Sequence, residues 1–253
     1  MTASNDRYRA PALDKGLDIL ELLSEQPNGL TRGEIVKAMG RNPSEIYRML
    51  ERLVARHYVA RSPEGDRYSL SLKLFVLAQR HPPLNRLMAR AQPAMDAFAK
   101  AAEQSCHLGV YDRGNIAIVA QVNSPANWGL SIRLGSRVSL IDTGSGHVML
   151  AFQSEHRRAE MLAEHEVLDG ESPVPAKELV ATIDGVREAG CWRGESQQAW
   201  GVTDISIPII ATGGHAIAVL TCPFIRRIDR HVGPDLEATH RLLEQTAKAL
   251  SID

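Results

Sequence analysis

The chain has 253 residues, 44% of them hydrophobic, and a formal net charge of -1, which allows two compact domains of common size, or one large one, with a sizeable buried core. Its three cysteines, Cys106, Cys191 and Cys222, lie far apart with no Cys-x-x-Cys; this argues against a zinc knuckle or a thioredoxin-like site and suits a reduced, cytoplasmic protein. No apolar run approaches the roughly 18 residues that cross a bilayer, and the start, with Asn5, Asp6, Arg7 and Arg9, lacks the apolar stretch of a signal peptide.

In chain order, a first helix is predicted from Pro11 to Glu25, with Leu13, Leu17, Leu20 and Leu23 on one side and Asp14, Asp18, Glu21 and Glu25 on a wet face beside it. Pro27, Asn28 and Gly29 end it. Thr31-Arg-Gly-Glu34 then reads as a capping box, opening a short helix with Ile35, Val36 and Met39 inward and Gly40 as its left-handed stop. Asn42-Pro-Ser-Glu45 repeats the capping logic, with Pro43 at the first helical position. Ile46, Met49, Leu50 and Leu53 run down the inner side of this second helix. Two short helices joined by about three residues have the spacing of a helix-turn-helix. Tyr58–Arg61 and Arg67–Leu70, around Ser62-Pro-Glu-Gly-Asp66, form a hairpin directly behind it, which is the place of a wing.

A helix over about 71–79 follows, and His81-Pro82-Pro83 marks a domain boundary. From Leu84, the residues Met88, Ala91, Met95, Phe98 and Ala102 keep spacings of four and three. The pattern fits either a seam against a partner chain or a helix lying on a sheet, with a break expected at Pro93. Ser105–Tyr111 and Ile116–Val122 form a second hairpin, and Gly129–Leu134 reads as a strand. Helices are expected over 145–152, 155–166 and 176–189, a third hairpin over 202–211 and 215–222, and a last helix from about Gly233 to Leu250. The whole is an α+β chain: an N-terminal, mostly helical winged helix-turn-helix, then an α/β domain on a mainly antiparallel sheet. We place the winged helix-turn-helix in residues 1–70, linker helices in 71–92, and an effector-binding and oligomerisation domain in 93–253.

Charge assigns the tasks. Residues 1–80 hold 13 Lys+Arg against 10 Asp+Glu, about +3, leaving 16 against 20 for the remainder; polyanion binding therefore belongs to the first part, and the helix-turn-helix makes double-stranded DNA the partner. With Ile46, Met49, Leu50 and Leu53 claimed by the core, Ser44, Glu45, Tyr47 and Arg48 face out from the first turns of the second helix. Arg41 stands just ahead of it and Arg52 one turn on. Arg48 suits a guanine edge or a phosphate, and Ser44 and Tyr47 suit phosphate or thymine. For Glu45 a cap role competes with a cytosine contact. Thr31, Arg32, Arg61 and Arg67 are further phosphate candidates. The competing reading is a three-helix unit that contacts protein.

Ala12-Leu-Asp-Lys-Gly-Leu-Asp-Ile-Leu-Glu-Leu-Leu23, Gly29-Leu-Thr31, Ser44-Glu-Ile-Tyr-Arg-Met-Leu50 and Tyr68-Ser-Leu-Ser-Leu-Lys-Leu74 resemble the DNA-binding half of the IclR-type regulators. Leu134-Gly-Ser, Thr143-Gly-Ser-Gly-His-Val-Met-Leu-Ala151 and Gly201-Val-Thr-Asp-Ile-Ser-Ile-Pro208 resemble that family's effector domain, in the same order. The resemblance implies a linker helix and a GAF/PAS-like effector domain. It also implies homodimers or dimers of dimers on pseudo-palindromic operators, with repression or activation set by small metabolites, often organic or aromatic acids. Three departures stand out: Pro43-Ser44-Glu45 opens the recognition helix where members often have Ser-Thr with a nearby Arg. Gly194, beside Glu195, stands at a position acidic in some members, and Leu220-Thr-Cys-Pro223 replaces a Ser-rich strand ending in Gly-Pro.

For the effector, Asp142-Thr143-Gly144-Ser145-Gly146 leads into a helix whose first amides suit a carboxylate or phosphate. Asp204, Ser206, Thr221 and Cys222 on facing strands, Glu195, and Trp128 as a lid or stacking face complete the candidate pocket. Helix capping by Thr143 and Ser145, and a core role for Trp128, are the competing readings. Leu140-Ile-Asp-Thr-Gly-Ser145 imitates an aspartic-protease loop, but that chemistry needs a second carboxylate sharing a proton. No nucleophile elbow, P-loop or dinucleotide fingerprint occurs. Cys106 and His107, as neighbours on a strand, point to opposite faces and make neither a metal pair nor a nucleophile and its base. No catalytic residue, metal or cofactor is expected. The functional expectation is a repressor-type DNA-binding regulator under a small-molecule effector; a regulator needing no ligand is the alternative.

Overall fold

The computed structural model describes residues 10–80, 82–229 and 231–251; His81 of the expected boundary, the side chain of Leu84 and the N-terminal Asn5–Arg9 lie outside them. The chain divides into two compact units, residues 1–85 and 86–253, and among the described residues no helix is long and apolar enough to cross a membrane.

In the first unit, α1 (Pro11–Ser24) opens with a proline in its first turn. It buries Gly16, Ile19 and Leu23 rather than the stripe expected from its leucines: Leu13 and Leu17 are 61% and 47% exposed. Two apolar stripes lie side by side on this helix, and packing against the rest of the unit selects the one carrying Ile19. Strand β1 (Leu30–Thr31) follows, then α2 (Arg32–Met39) and α3 (Pro43–Ala55). The Thr31 capping box forms as the sequence requires, with Thr31 N donating to Glu34 at 2.7 Å and Glu34 N to the Thr31 hydroxyl at 3.3 Å. At α3 the Asn42 side chain accepts from Ser44 N at 2.9 Å, but Glu45 does not close a second box.

Strands β2 (Val59–Arg61) and β3 (Arg67–Leu70) form the wing hairpin, with β1 as a third strand in the order β1-β3-β2. Gly29 makes that third strand possible. Its φ is +62°, and a Cβ there would sit 2.4 Å from the Tyr68 carbonyl oxygen, so only glycine lets the chain close onto β3. Ile19, Leu23, Ile35, Ile46, Leu50, Val59 and Tyr68 make the core. Helix α4 (Lys73–Gln79) follows, and its Leu72 and Phe75 neighbourhood stays on the surface, at 77% and 62% exposure.

The expected break at Pro93 does not occur: α5 runs as one helix over Pro82–Ala102. The proline removes one amide donor, while Ala91, Met95, Phe98 and Ala102 are buried around it and hold the helix on the sheet. The prolines at 82 and 83 begin a helix rather than a loop. From Met88 on, the spacing read as a possible partner seam is thus an intramolecular face.

The second unit is built on β4 (Cys106–Asp112), β5 (Asn115–Val122), β6 (Arg137–Val138), β7 (Trp192–Glu195), β8 (Val202–Ile210) and β9 (Ala216–Ile225). They form one antiparallel sheet in the order β6-β5-β4-β9-β8-β7. The strand expected over Gly129–Leu134 is absent. Those residues form a connection with Leu134 64% exposed, and the ladder resumes only at Arg137. One face of the sheet packs on α5 and α9 (Leu236–Leu250) through Leu243, Ala247 and Leu250. The other packs on α6 (Gly144–Ala151) and α8 (Ala176–Ala189), with Met161 of α7 (Glu155–Ala163).

Candidate nucleic-acid interface and ligand site

The exposed side of α3 is defined by what its inner side buries: Ile46 and Leu50 are fully enclosed, which turns Ser44, Tyr47 and Arg48 outward, with Arg52 a turn later. Tyr47 is 45% exposed and lies under the Arg32 guanidinium, 5.5 Å from its ring centre, so α2 and α3 present a common edge. Arg41 lies 3.9 Å from Asp18. Glu45 is held by Lys15 at 2.8 Å, and this ammonium keeps its carboxyl below the usual range. The cap role weighed for Glu45 is not the contact observed; its carboxylate turns to α1 instead.

Other candidates are drawn into the fold. The Thr31 hydroxyl serves the cap, and Arg67 donates to the Gly29 carbonyl at 2.9 Å. Arg61 donates to the Gly65 carbonyl at 2.6 Å and lies over Tyr68, which stiffens the wing. Lys73, not singled out from the sequence as an individual contact, lies 4.4 Å over the Tyr58 ring and donates to the Arg56 carbonyl.

In the second unit, Thr143 caps α6: its hydroxyl accepts from Gly146 N at 3.1 Å and donates to the Ser139 carbonyl at 2.6 Å. The small residues behind it admit neighbouring protein. A Cβ on Gly144 would fall 2.3 Å from Trp192, and one on Gly146 would fall 2.2 Å from the Leu140 carbonyl oxygen. Ser145, Thr221 and Ser206 form a buried chain of hydroxyls, each step 2.8 Å, because Ser206 and Thr221 are register partners on β8 and β9. Asp204, two residues along β8, shares that face; burial raises its carboxyl above the ordinary range against a hydrogen bond from Ser196. These are the pocket candidates the fold brings together.

Three others lie apart. Cys222 follows Thr221 and packs on the opposite face, in the cluster with Cys106 and Met95, where burial pushes its thiol well up. Glu195 is exposed at the end of the edge strand β7, and Trp128 is 69% exposed on the β5–β6 connection. The residues that sequence reasoning passed over are Trp192, His147, Gln198 and Ser172. Trp192 meets the His147 ring edge-on at 4.9 Å. Ser172 N and the Gln198 amide donate to Asp142 Oδ2 at 2.8 and 3.1 Å. Only His147 carried a signal, as the next residue of the Thr143–Gly146 motif.

The enzyme readings find little support in this geometry. Burial takes His107 down to about 4 and Cys106 up to about 12, leaving an uncharged imidazole and an inert thiol at neutral pH. Asp142 is tied to backbone and amide donors rather than to a second carboxylate. Among the described residues no group of three or more His, Cys, Asp or Glu could hold a metal ion.

Comparison with known proteins bears on both units. Residues 12–63 match the family model described as the IclR helix-turn-helix domain, and residues 84–252 match that of the bacterial transcriptional regulator IclR C-terminal. The HTH-type transcriptional regulator KdgR of Escherichia coli is 29% identical over 213 residues, covering 83% of this chain and 80% of that protein. The regulator XynR of the same organism is 24% identical over 246 residues, 95% of each chain. Among solved structures, an IclR transcriptional regulator from Alicyclobacillus acidocaldarius superposes with a TM-score of 0.73 at 23% identity, over 96% of this chain and 98% of the other. An IclR homolog from Microbacterium hydrocarbonoxydans, complexed with 4-hydroxybenzoate, gives 0.75 at 20% identity over 95% and 97%.

Proposed function

Because the chain belongs to the IclR family of bacterial transcriptional regulators, with a DNA-binding helix-turn-helix and a C-terminal effector-binding domain, we propose that it is a cytoplasmic repressor released from or held on its operator by a small organic or aromatic acid. It is a regulator and not an enzyme. The observation that carries the DNA-reading part is α3: Ile46 and Leu50 anchor one side, while Ser44, Tyr47 and Arg48 stand exposed at its start, where a recognition helix meets base edges. Arg32, Arg41 and Arg52 extend the same basic edge towards phosphates.

The working form is a homodimer or dimer of dimers on a pseudo-palindromic operator. Support comes from the exposed apolar residues of the first unit, Leu13 and Leu17 on α1 and Leu72 and Phe75 at α4, which a contact between copies would shield from water. The effector site lies where α6 meets β8 and β9, around Ser145, Ser206, Thr221 and Asp204. An acid as effector accords with the 4-hydroxybenzoate bound by the Microbacterium homolog. Occupancy acts by differing affinity for two arrangements of the dimer; a ligand that binds both equally shifts nothing.

The test is fluorescence anisotropy on labelled duplexes from the region beside the protein's own gene, across a salt series. Specific binding that weakens steeply with salt is expected. Indifference to all such duplexes at low ionic strength overturns the reading.

A further inference from the structure

Two buried hydrogen-bond acceptors at the start of α6, Asp142 Oδ1 and His147 Nδ1, have no donor among the described residues. Asp142 is 2% exposed and His147 6%. Their other contacts fix what they can offer. His147 Nε2 lies 2.8 Å from the Ile141 carbonyl oxygen, which only accepts, so Nε2 carries the proton and Nδ1 of the neutral ring is a lone pair. Asp142 Oδ2 already takes Ser172 N and the Gln198 amide, both neutral donors. Among the described residues neither Asp142 nor Asp204 pairs with a lysine or arginine. A buried acceptor left unmade is costly, and here two such acceptors stand on either side, along the chain, of Ser145, which opens the hydroxyl chain to Thr221 and Ser206.

We infer that the ligand of this site presents hydrogen-bond donors, hydroxyl or ammonium groups, to Asp142 and His147, and that a molecule whose only polar group is a carboxylate is refused. The inference rests on the proposed role of the second unit as the effector domain. It narrows the effector to hydroxylated or amino-substituted compounds. A bare carboxylate at this end would set its oxygens against two acceptors, with no cation among the described residues to offset them. A metal ion fits poorly, because among the described residues no third His, Cys, Asp or Glu joins the pair in a group able to hold one. Gln198 belongs to the exposed connection between β7 and β8, so withdrawal of its amide gives the ligand a second oxygen of Asp142.

The experiment is isothermal titration of the full-length protein with polyols, hydroxy acids, amines and unsubstituted carboxylates, headed by sorbitol, gluconate, ethanolamine and benzoate. The hydroxyl and ammonium arms separate the two sources of donors. Asp142→Asn replaces one acceptor oxygen by an N–H donor, and the affinity of a donor-bearing ligand should fall at least tenfold. Gln198→Ala leaves both acceptors in place, and affinity should hold or rise. Far-UV circular dichroism and the thermal midpoint without ligand report the fold of each variant. Binding confined to unsubstituted carboxylates, or donor ligands indifferent to Asp142→Asn, overturns this inference and leaves the effector reading standing. A loss in both variants also overturns it. Silence from all four classes overturns the effector reading itself.

Discussion

At the start of α3, Arg48 is exposed while its neighbour Glu45 is paired with Lys15 at 2.8 Å, so the positive side chains of the proposed recognition face are little opposed. Arg48→Ala should weaken specific binding by about 1–3 kcal/mol if the guanidinium reads a base. Anisotropy on matched and scrambled duplexes separates the outcomes: an equal loss on both makes Arg48 a phosphate contact, and no loss on either removes it from the interface. At α6 the same scale of reasoning changes the meaning of a glycine. From sequence, Gly146 belongs to the motif whose amides suit a ligand anion; in the fold its missing Cβ is room for the Leu140 backbone, 2.2 Å from where that atom would sit. Gly146→Ala therefore tests stability. Backbone must move, and a loss of about 1–3 kcal/mol is expected in denaturant unfolding; an unchanged midpoint would show that the Leu140 turn yields freely.

The segment between α7 and α8 is fastened by one imidazole. His165 Nδ1 lies 2.8 Å from the Gly114 carbonyl oxygen and Nε2 2.9 Å from Glu171 Oε1. Both ring nitrogens are thus engaged, and the His165 and Glu171 side chains are only 10% and 2% exposed. Burial pushes the Glu171 carboxyl up, but hydrogen bonds from His165, Ser139 and the Leu168 amide outweigh it and leave the group below its ordinary range. A lowered carboxyl contributes stability that is complete above the unfolded value, about pH 4.3, and is lost as pH falls through the folded one. Glu171→Gln keeps an acceptor and drops the charge, so thermal midpoints between about pH 5 and pH 3 should fall less steeply in the variant than in the parent. Parallel curves would remove the clasp from the account. Elements of this kind escape sequence reading because their partners are far apart: His165 and Gly114 are 51 positions away. What was legible was local. The caps at Thr31 and Asn42, the αL Gly40 and the hairpins follow from neighbours along the chain. Strands β1 and β7 did not, being two and four residues long and made strands only by β3 and β8. The run over Gly129–Leu134 had strand composition but no ladder to join.

Across the whole molecule the candidate pocket was half legible for a related reason. The Thr143–Gly146 motif and the β8–β9 hairpin could be read separately, but which strand residues face α6 depends on register, and that parity sends Cys222 to the far side of the sheet. The surface carries a second reading that sequence alone blurs. Leucines 13 and 17 looked like core on helical spacing; in the fold they are exposed, as are Leu72 and Phe75. A helix as apolar as α4 (Lys-Leu-Phe-Val-Leu-Ala-Gln) does not stay in water without reason. If a second copy covers it, Leu72→Glu with Phe75→Glu places charge in that contact while touching no residue of the three-stranded sheet. Sedimentation should then show a smaller particle than the parent. Affinity for a two-half-site operator should fall by roughly 10²–10⁴, the gain that linked binding provides, while affinity for an isolated half-site stays as it was. An unchanged mass in the double variant would move the dimer contact to the second unit and leave α4 to some other partner. An unchanged mass with lost half-site binding would instead mean that the helix supports the recognition surface directly.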